Sequence, residues 1–339
     1  MAVTIKKIAD ICGVSRGTVD RVLNGRGNVK KETEEKVIAI ANELGYTGTS
    51  TKKLSAKRKK ITVGVVLAAE GNSFFDDILK GMYQAQKELD EFGLVLNIKT
   101  MKGYDSAEQL ALIEKIEDEI SALVLNPISD LKIESKINAL MEKGIPVATV
   151  NTDIETSKRL FYVGSNYTKG GEIACGMLAL IAGKRANVGI LLGSDKIMGH
   201  TKRVNGFKDT CQKKYMDFNV LAYAETDDDD IKAFEVTTNM LKEQPEINAL
   251  YIAGAGVYGA CRAVISSGRE NDIHIICFDR VPGTVEMIER GLIKATICQQ
   301  PFTQGNKCIH TMFNYLVSGR KPEKAQFIVK NEIRIVENI

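Results

Sequence analysis

The sequence has no run of eighteen or more apolar residues, so it predicts no helix that spans a membrane. Its opening residues, MAVTIKKIAD, lack the charged and apolar regions of a secretory signal. Its seven cysteines are scattered through apolar segments and form neither a CxxC pair nor a metal-binding spacing with histidine. This usage favours buried free thiols in a reducing compartment. We therefore predict a cytoplasmic protein without disulfides or a bound metal.

Motifs of several enzyme classes are also missing. GxSxG, GxxxxGK[ST] and HExxH do not occur. Gly254, Gly256 and Gly259 match the dinucleotide-binding spacing GxGxxG only loosely, and this match is the sole support for an alternative, a dinucleotide-dependent enzyme. The acidic run 227–230 falls at the start of a predicted helix, where carboxylates offset the helix dipole, so we interpret it as capping. We predict no catalytic residues and no cofactor.

Residues 3–46 have the pattern of three short helices. In the first helix apolar residues follow the i, i+3, i+4, i+7 spacing of an amphipathic helix; they are Ile5, Ile8, Ala9 and Cys12. Gly13 supplies the tight turn and Ser15 is placed to cap the second helix. The second helix buries Val19, Val22 and Leu23 and carries on its other face Arg16, Gly17, Asp20, Arg21 and Asn24. A third helix ends at Gly45, which completes a helix-turn-helix pattern that presents one helix face to DNA.

Positive charge is concentrated at this end of the chain. Residues 1–60 hold fourteen Lys and Arg against six Asp and Glu, a balance of +8 in a chain whose net charge is +3. The remaining residues therefore carry −5. Six of the basic residues lie in the polar stretch 47–60, which has the composition of a linker. A basic head on a mildly acidic body is typical of a protein that contacts phosphates at one end.

From Ile61 onward, short β-branched runs alternate with amphipathic helices. This alternation predicts parallel sheets wrapped by helices, and it restarts after a break at 152–158, which indicates two similar halves. The predicted fold class is an all-α helix-turn-helix head plus an α/β body of two lobes. We predict that one lobe contains about 61–151 and 295–318, and the other about 160–290 and 320–339. Because the last fifty residues exceed a simple repeat, we expect them to cross between the lobes.

Polar and aromatic residues recur where predicted strands end. Ligands bind at the carboxyl ends of parallel strands, so these residues are candidates for a small-molecule site. Rings can cover the C–H faces of a sugar-like polyol, while carboxylates and guanidinium groups pair with its hydroxyls. The candidates are Phe74, Phe75, Asn151, Asp153, Arg203, Asp279 and Gln299. The competing interpretation is that the phenylalanines are core residues and the aspartates are helix caps.

The segment VTIKKIADICGVSRGTVDRVLNG closely resembles the N-terminal segment of the lactose-repressor/galactose-repressor family of bacterial transcription regulators. The body resembles the periplasmic ribose-type sugar-binding proteins in the segments GNSFFDD, IPVATVNTD, FYVGSNYTKGG, CFDR and ATICQQPFTQG. The resemblance covers essentially the whole chain. It implies a fold like that of periplasmic binding proteins, and a homodimer that reads a near-palindromic operator under the control of a small sugar or polyol.

The resemblance also implies roles for residues. Arg16, Gly17 and Arg21 match base-reading positions, and Leu54 matches the leucine that the family inserts into the minor groove. Other positions matching or flanking the DNA contacts are Thr4, Ser15, Thr18, Asn24 and Lys30. In the body, Phe74 and Phe75 match the aromatic clamp of the binding cleft. Asn151 matches the polar end of the fourth strand, and Arg203, Asp279 and Gln299 match sugar-contacting positions. Asn151-Thr152 replaces an Asp-Arg pair common in ribose binders.

We therefore expect a DNA-binding head at 1–46, a hinge or linker at 47–60, and an effector-binding and dimerisation domain at 61–339. The expected function is transcriptional regulation, as a repressor. The alternative from another class is the solute-binding protein of a sugar transport system. Sequence alone leaves open the effector, the operator, and whether the effector strengthens or weakens DNA binding.

Overall fold

The computed structural model describes residues 4–23, 29–43, 60–183, 185–214 and 217–339. The chain divides into two compact units. One consists of Met1–Ile61 and Lys87–Val95, and the other of Thr62–Gln86 and Leu96–Ile339. Within the described residues, no helix is long and apolar enough to cross a membrane.

Three helices follow one another in the first unit: α1 (Ile5–Cys12), α2 (Arg16–Leu23) and α3 (Lys31–Glu43). The Thr4 side chain caps α1 by accepting from the Lys7 N–H. Gly13 ends α1 with φ +69°, a left-handed conformation in which glycine has no steric penalty. The helices share a buried apolar cluster of Ile8, Ala9, Cys12, Val19, Val22, Val37 and Ala41. The predicted helix-turn-helix is confirmed, while the predicted end at Gly45 lies outside the described residues.

Nine further α-helices and twelve strands are described in the body. In chain order they are β1 (Ile61–Glu70), α4 (Phe74–Leu89), β2 (Leu94–Lys102), α5 (Ser106–Ile116), β3 (Ala122–Leu125), α6 (Leu131–Glu142), β4 (Val147–Val150), β5 (Phe161–Ser165), α7 (Tyr167–Ala182), β6 (Ala186–Leu192), α8 (Met198–Lys214), β7 (Phe218–Glu225), α9 (Asp230–Glu243), β8 (Ala249–Ile252), α10 (Val257–Ser266), β9 (His274–Phe278), α11 (Pro282–Glu289), β10 (Ile293–Cys298), α12 (Pro301–Ser318), β11 (Gln326–Val329) and β12 (Glu332–Arg334).

The strands form two six-stranded sheets, one in each lobe. The first sheet has the order β11-β5-β4-β3-β1-β2 and the second has the order β12-β10-β9-β8-β6-β7. Eight neighbouring pairs run in parallel: β11–β5, β5–β4, β4–β3 and β3–β1 in the first sheet, and β10–β9, β9–β8, β8–β6 and β6–β7 in the second. Strand β12 is antiparallel to β10. Both sheets bury apolar faces against helices, and in the second lobe Phe207 stacks on Tyr251 with ring centroids 4.4 Å apart. The predicted two-lobed α/β fold is confirmed.

Three strands lie in the opposite lobe from the one predicted. β5 pairs with β4 in the first lobe, β11 pairs with β5 there, and β10 pairs with β9 in the second lobe. The predicted lobe limits were therefore wrong at 160–165, 295–298 and 326–329. The reason is that sheet membership depends on pairing with distant strands, which local apolar spacing does not encode. As expected, the chain crosses between the lobes near its end, after β10 and after β11, in addition to the crossing after β5.

All seven cysteines are buried and unpaired, as predicted. The two nearest, Cys175 and Cys211, have sulfur atoms 3.2 Å apart between α7 and α8, well beyond the length of about 2.05 Å of a disulfide bond. The thiols fill core positions, which is the ordinary role of free cysteine in a buried site.

Candidate functional site

The outward face of α2 begins with a side-chain cap. The Ser15 hydroxyl oxygen accepts from the Thr18 N–H at 3.1 Å and also lies 2.9 Å from the Thr18 hydroxyl oxygen. The Arg21 Nε donates to the Gly17 carbonyl oxygen at 3.2 Å, which holds the guanidinium group along the helix. Thr18 is half-buried, and the other predicted DNA-contacting residues described here are exposed: Thr4, Ser15, Arg16, Gly17, Arg21 and Lys30. Asn24 and Leu54 lie outside the described residues.

Gly17 has no packing reason to be glycine. A Cβ atom at this position would meet only the Ser15 hydroxyl oxygen, at 3.8 Å. Glycine inside a helix costs about 1 kcal/mol relative to alanine. The residue therefore leaves a shallow gap on the exposed face of α2, beside Arg16 and Arg21.

The cleft between the two lobes opens at the carboxyl ends of strands from both sheets, where a ligand is expected in a parallel α/β fold. Its volume is about 160 Å³. A water molecule needs roughly 10–15 Å³ by the same measure, so the cleft has room for about ten water-sized groups. That is the size of a monosaccharide. Six of the seven predicted effector residues line it: Phe74, Phe75, Asn151, Arg203, Asp279 and Gln299.

Arg203 lies on α8, which approaches α7 closely because glycines occupy the contact. A Cβ atom on Gly171 would lie 1.9 Å from the Arg203 carbonyl oxygen. The Arg203 side chain is buried, with its guanidinium carbon 3.7 Å from the centre of the Phe278 ring. Its Nη1 donates to the Ala253 carbonyl oxygen at 2.7 Å, whereas its Nε donates to no protein atom. Because Arg203 lines the cleft, its guanidinium group is placed to donate to a ligand.

Asp279 follows β9 and is held in a fixed orientation. Its φ is +68°, and the Gln299 Nε2 donates to both carboxylate oxygens, at 3.1 and 2.8 Å. The Gln299 Oε1 in turn accepts from the Ser165 hydroxyl at 2.8 Å. Enclosure in the cleft raises the pKa of Asp279 to about 6, although nearby Arg203 opposes this shift. The group is therefore mostly ionised at neutral pH and can accept hydrogen bonds.

Asn151 occupies the corresponding position of the first lobe, after β4. It too has a positive φ, +64°. Its carbonyl oxygen accepts from the hydroxyl groups of Tyr162 and Tyr167, and its N–H donates to the Val163 carbonyl oxygen at 2.9 Å. These backbone bonds fix the residue at the cleft wall. On the same side Phe74 and Phe75 begin α4, with ring centroids 5.4 Å apart and ring planes at 84°.

Asp153, by contrast, does not line the cleft. Its carboxylate forms an ion pair with Arg159 and accepts from the Thr149 hydroxyl at 2.6 Å, and the side chain is buried. The prediction that Asp153 contacts the effector was therefore wrong. The cause is the arginine six residues later, which uses the carboxylate for a structural pair.

Asp228 is the main cleft residue that the sequence interpretation missed. The acidic run was interpreted as capping, and Asp229 does cap α9 by accepting from the N–H groups of Ile231 and Lys232. Asp228, however, points into the cleft, where it accepts from the Ala255 N–H at 2.7 Å and from the Tyr104 hydroxyl of the opposite lobe. Because it lies three residues after the end of β7, the rule that selected Asp279 could also have selected Asp228.

His200 also lines the cleft. Its Nδ1 accepts from the Ser194 N–H at 3.1 Å, and its Nε2 lies 3.9 Å from an oxygen of the Asp228 carboxylate. Burial lowers the pKa of His200, which favours the neutral ring.

The glycines of the loose GxGxxG match serve close packing. A Cβ atom on Gly259 would lie 1.8 Å from the Asp230 carbonyl oxygen, and one on Gly254 would lie 2.5 Å from the Gly193 nitrogen. Gly256 has φ +85° at the start of α10. These contacts account for the glycine spacing without a dinucleotide.

Comparison with protein families agrees with both parts of this geometry. Residues 63–321 match the family model described as "Periplasmic binding protein domain", and residues 4–48 match "Bacterial regulatory proteins, lacI family". Over most of its length the chain belongs to the periplasmic binding protein domain family, and its N-terminal residues carry a DNA-binding domain of the lacI family. It is a DNA-binding transcription regulator, and its body is a periplasmic binding protein domain.

Relatives of this regulator include proteins of both kinds. It is 29% identical over 272 residues to the ribose import binding protein RbsB of Bacillus subtilis, covering 80% of this chain and 86% of the relative. It is 24% identical over 315 residues to the ribose operon repressor of Haemophilus influenzae, covering 91% and 90%. It is 26% identical over 287 residues to the probable HTH-type transcriptional repressor ExuR of Bacillus subtilis, covering 82% of each.

Among solved structures, the regulator superposes on GanP, a glucose-galactose binding protein from Geobacillus stearothermophilus. The TM-score is 0.78 at 25% identity, covering 83% of the regulator and 99% of GanP.

Proposed function

We propose that this protein is a cytoplasmic repressor that binds a near-palindromic operator as a homodimer and is controlled by a sugar or polyol in the cleft. One observation carries the proposal. The cleft combines aromatic rings with the unpartnered Arg203 Nε and the fixed Asp279 carboxylate, in a chain that begins with a helix-turn-helix. Rings, guanidinium and carboxylate are the groups that bind the C–H faces and hydroxyls of a sugar. The free thiols suit a reducing cytoplasm.

On the DNA side, α2 would lie in the major groove. Arg16 and Arg21 would donate to guanine O6 and N7, the commonest specific contact in that groove. Gly17 would let the helix approach the base edges closely, since it has no Cβ atom. The helix would be positioned on the DNA phosphates by a set of polar residues that contact the phosphates or support those contacts: Thr4, Ser15, Thr18, Asn24 and Lys30. Leu54 would enter the minor groove.

In the cleft, Phe74 and Phe75 would cover the ring of the effector from the first lobe. Arg203 would donate to an effector hydroxyl through its free Nε, and Asp279 would accept from neighbouring hydroxyls. Asn151 and Gln299 would complete the polar wall. Because these side chains come from both lobes, a bound effector would favour the closed arrangement of the lobes. That shift of population would couple the cleft to operator binding.

The alternative is a solute-binding protein of a sugar transport system. The similarity to RbsB supports this alternative for the body, but it gives no role to the helix-turn-helix at 4–48. Operator binding separates the two functions, because a solute-binding protein has no need to recognise a DNA sequence.

Two measurements on the full chain test the proposal. A thermal shift screen against a panel of sugars and polyols should find ligands that raise Tm, since a ligand stabilises the folded state by RT ln(1 + [L]/Kd). Selection from random duplex DNA should enrich a near-palindrome whose affinity changes when the ligand is added. Enrichment of no sequence, together with ligand binding, would favour the transport alternative.

A further inference from the structure

We propose that the effector is an uncharged sugar or polyol, without a carboxylate or phosphate group. The inference rests on the proposed function, because it assumes that the cleft binds a sugar. It starts from the charges on the cleft wall. Three carboxylates line the cleft, those of Asp228, Asp230 and Asp279. Among the described lining residues, Arg203 holds the only guanidinium group, and the His200 ring is neutral.

The guanidinium group of Arg203 is held in place by the protein. It stacks on Phe278 and donates through Nη1 to the Ala253 carbonyl oxygen. It also partly balances the charge of Asp279. A carboxylate on the effector would compete with Asp279 for this single cation. The two carboxylates would also repel each other, which raises the pKa of both groups. A hydroxyl group imposes no such competition.

Carboxylates of the protein already bind two backbone N–H groups of the second lobe wall. Helix N-termini and glycine-rich loops commonly bind phosphate through such groups. Here the segment between β8 and α10 is glycine-rich, but the Asp228 carboxylate accepts from the Ala255 N–H at 2.7 Å. The Asp230 carboxylate accepts from the Gly259 N–H at 3.0 Å. Carboxylates of the protein thus occupy positions that a ligand phosphate would need.

Three cations outside the cleft lining already pair with carboxylates of the protein. Lys202 pairs with Glu155, Lys232 pairs with Asp227, and Arg159 pairs with Asp153. Recruiting any of them to an anionic ligand would leave a protein carboxylate without its partner. The described cleft therefore selects against anions by charge and favours hydroxyl groups, which can both accept from Arg203 and donate to Asp279.

Isothermal titration calorimetry on the full chain tests this with pairs of ligands that differ in one group. The pairs are D-galactose with D-galacturonate, D-glucose with D-glucuronate, and D-ribose with D-ribose 5-phosphate, and D-glucosamine serves as a cationic probe. We expect the tightest ligand to be neutral and to bind at least about tenfold more tightly than its anionic counterpart. Tightest binding by an anion or by glucosamine overturns the inference but leaves sugar binding intact. If no sugar binds, the proposed function fails and the inference fails with it.

A charge variant tests whether the carboxylates cause the selectivity. In Asp228→Asn the amide oxygen can still accept from the Ala255 N–H, and the amide NH2 group can donate to the Tyr104 hydroxyl oxygen, but the negative charge is gone. The preference for the neutral member of the best pair should fall about threefold to tenfold. Asp209→Asn, on the exposed face of α8, is the matched control and should keep the wild-type preference. A preference unchanged in Asp228→Asn would contradict the electrostatic explanation.

Discussion

Replacing Tyr104 by phenylalanine removes one hydroxyl group that joins the two lobes. The Tyr104 hydroxyl of the first lobe donates to the Asp228 carboxylate of the second lobe, which the Ala255 N–H also holds. The bond can form only when the lobes are closed, so its loss should weaken the closed state and leave each lobe intact. A hydrogen bond to a charged group contributes about 1.5–3 kcal/mol to stability.

The expected magnitude follows from this bond. Water can reach the exposed carboxylate in the open state, so we take a net loss of about 1–2 kcal/mol. If the effector binds the closed state, Kd should rise about 5–30-fold. Calorimetry with the effector measures this change, and small-angle X-ray scattering of the unliganded protein should show a larger radius of gyration as open molecules accumulate.

The matched control is Tyr223→Phe, which removes a hydroxyl group from a half-exposed tyrosine on β7. It should leave both the affinity and the scattering unchanged. An unchanged effector Kd and an unchanged radius of gyration in Tyr104→Phe would refute the role of this bond in closure.

Three further predictions concern the head and the cleft. Gly17→Ala should stabilise the head by about 0.5–1 kcal/mol, because the added Cβ atom meets no close neighbour. The same variant should bind the operator more weakly. Equal or tighter operator binding in a gel-shift assay would contradict a close approach of Gly17 to DNA. Arg21→Ala should reduce the free energy of operator binding by about 1–3 kcal/mol and relax sequence specificity. Lys30→Ala should weaken binding to all DNA sequences alike and lower the slope of affinity against salt concentration by about one. If Arg21→Ala lost equal affinity for operator and random DNA, Arg21 would not read bases. Asp279→Asn should weaken effector binding but raise the unfolding free energy of the unliganded protein at pH 8 by about 1–2 kcal/mol. The reason is that the Asp279 pKa is about 6 in the folded protein rather than 3.8, so ionising this carboxyl group costs stability as pH rises through that interval. The gain should vanish near pH 3.5, and a gain that does not depend on pH in denaturant titrations would contradict this explanation.

The head could be predicted from sequence because its determinants are local. Apolar spacing identified Ile8, Ala9 and Val19 as core, and Gly13 and Ser15 marked the turn and the cap, as the structure has them. Strand ends also identified most of the cleft, because parallel strands bring their carboxyl ends to one edge.

The wrong predictions concerned residues and strands whose interaction partners cannot be read from sequence spacing. Asp153 follows a strand end as Asp279 follows another, but Arg159 captures the first carboxylate while Gln299 turns the second toward the cleft. Of two adjacent aspartates, Asp229 caps a helix and Asp228 meets a tyrosine of the other lobe. The lobe assignment of β10 failed for the same reason, since pairing with β9 decides it.

The most direct test of the proposed control of DNA binding by the cleft is operator affinity of the full chain at increasing effector concentration, in wild type and in Asp279→Asn. In wild type, saturating effector should change operator Kd by about 5–150-fold, the usual range of coupling between two sites. In Asp279→Asn the same change should require about tenfold to a hundredfold more effector, while operator affinity without effector stays near wild type. An effector that saturates the wild-type cleft and leaves operator Kd unchanged would contradict the account.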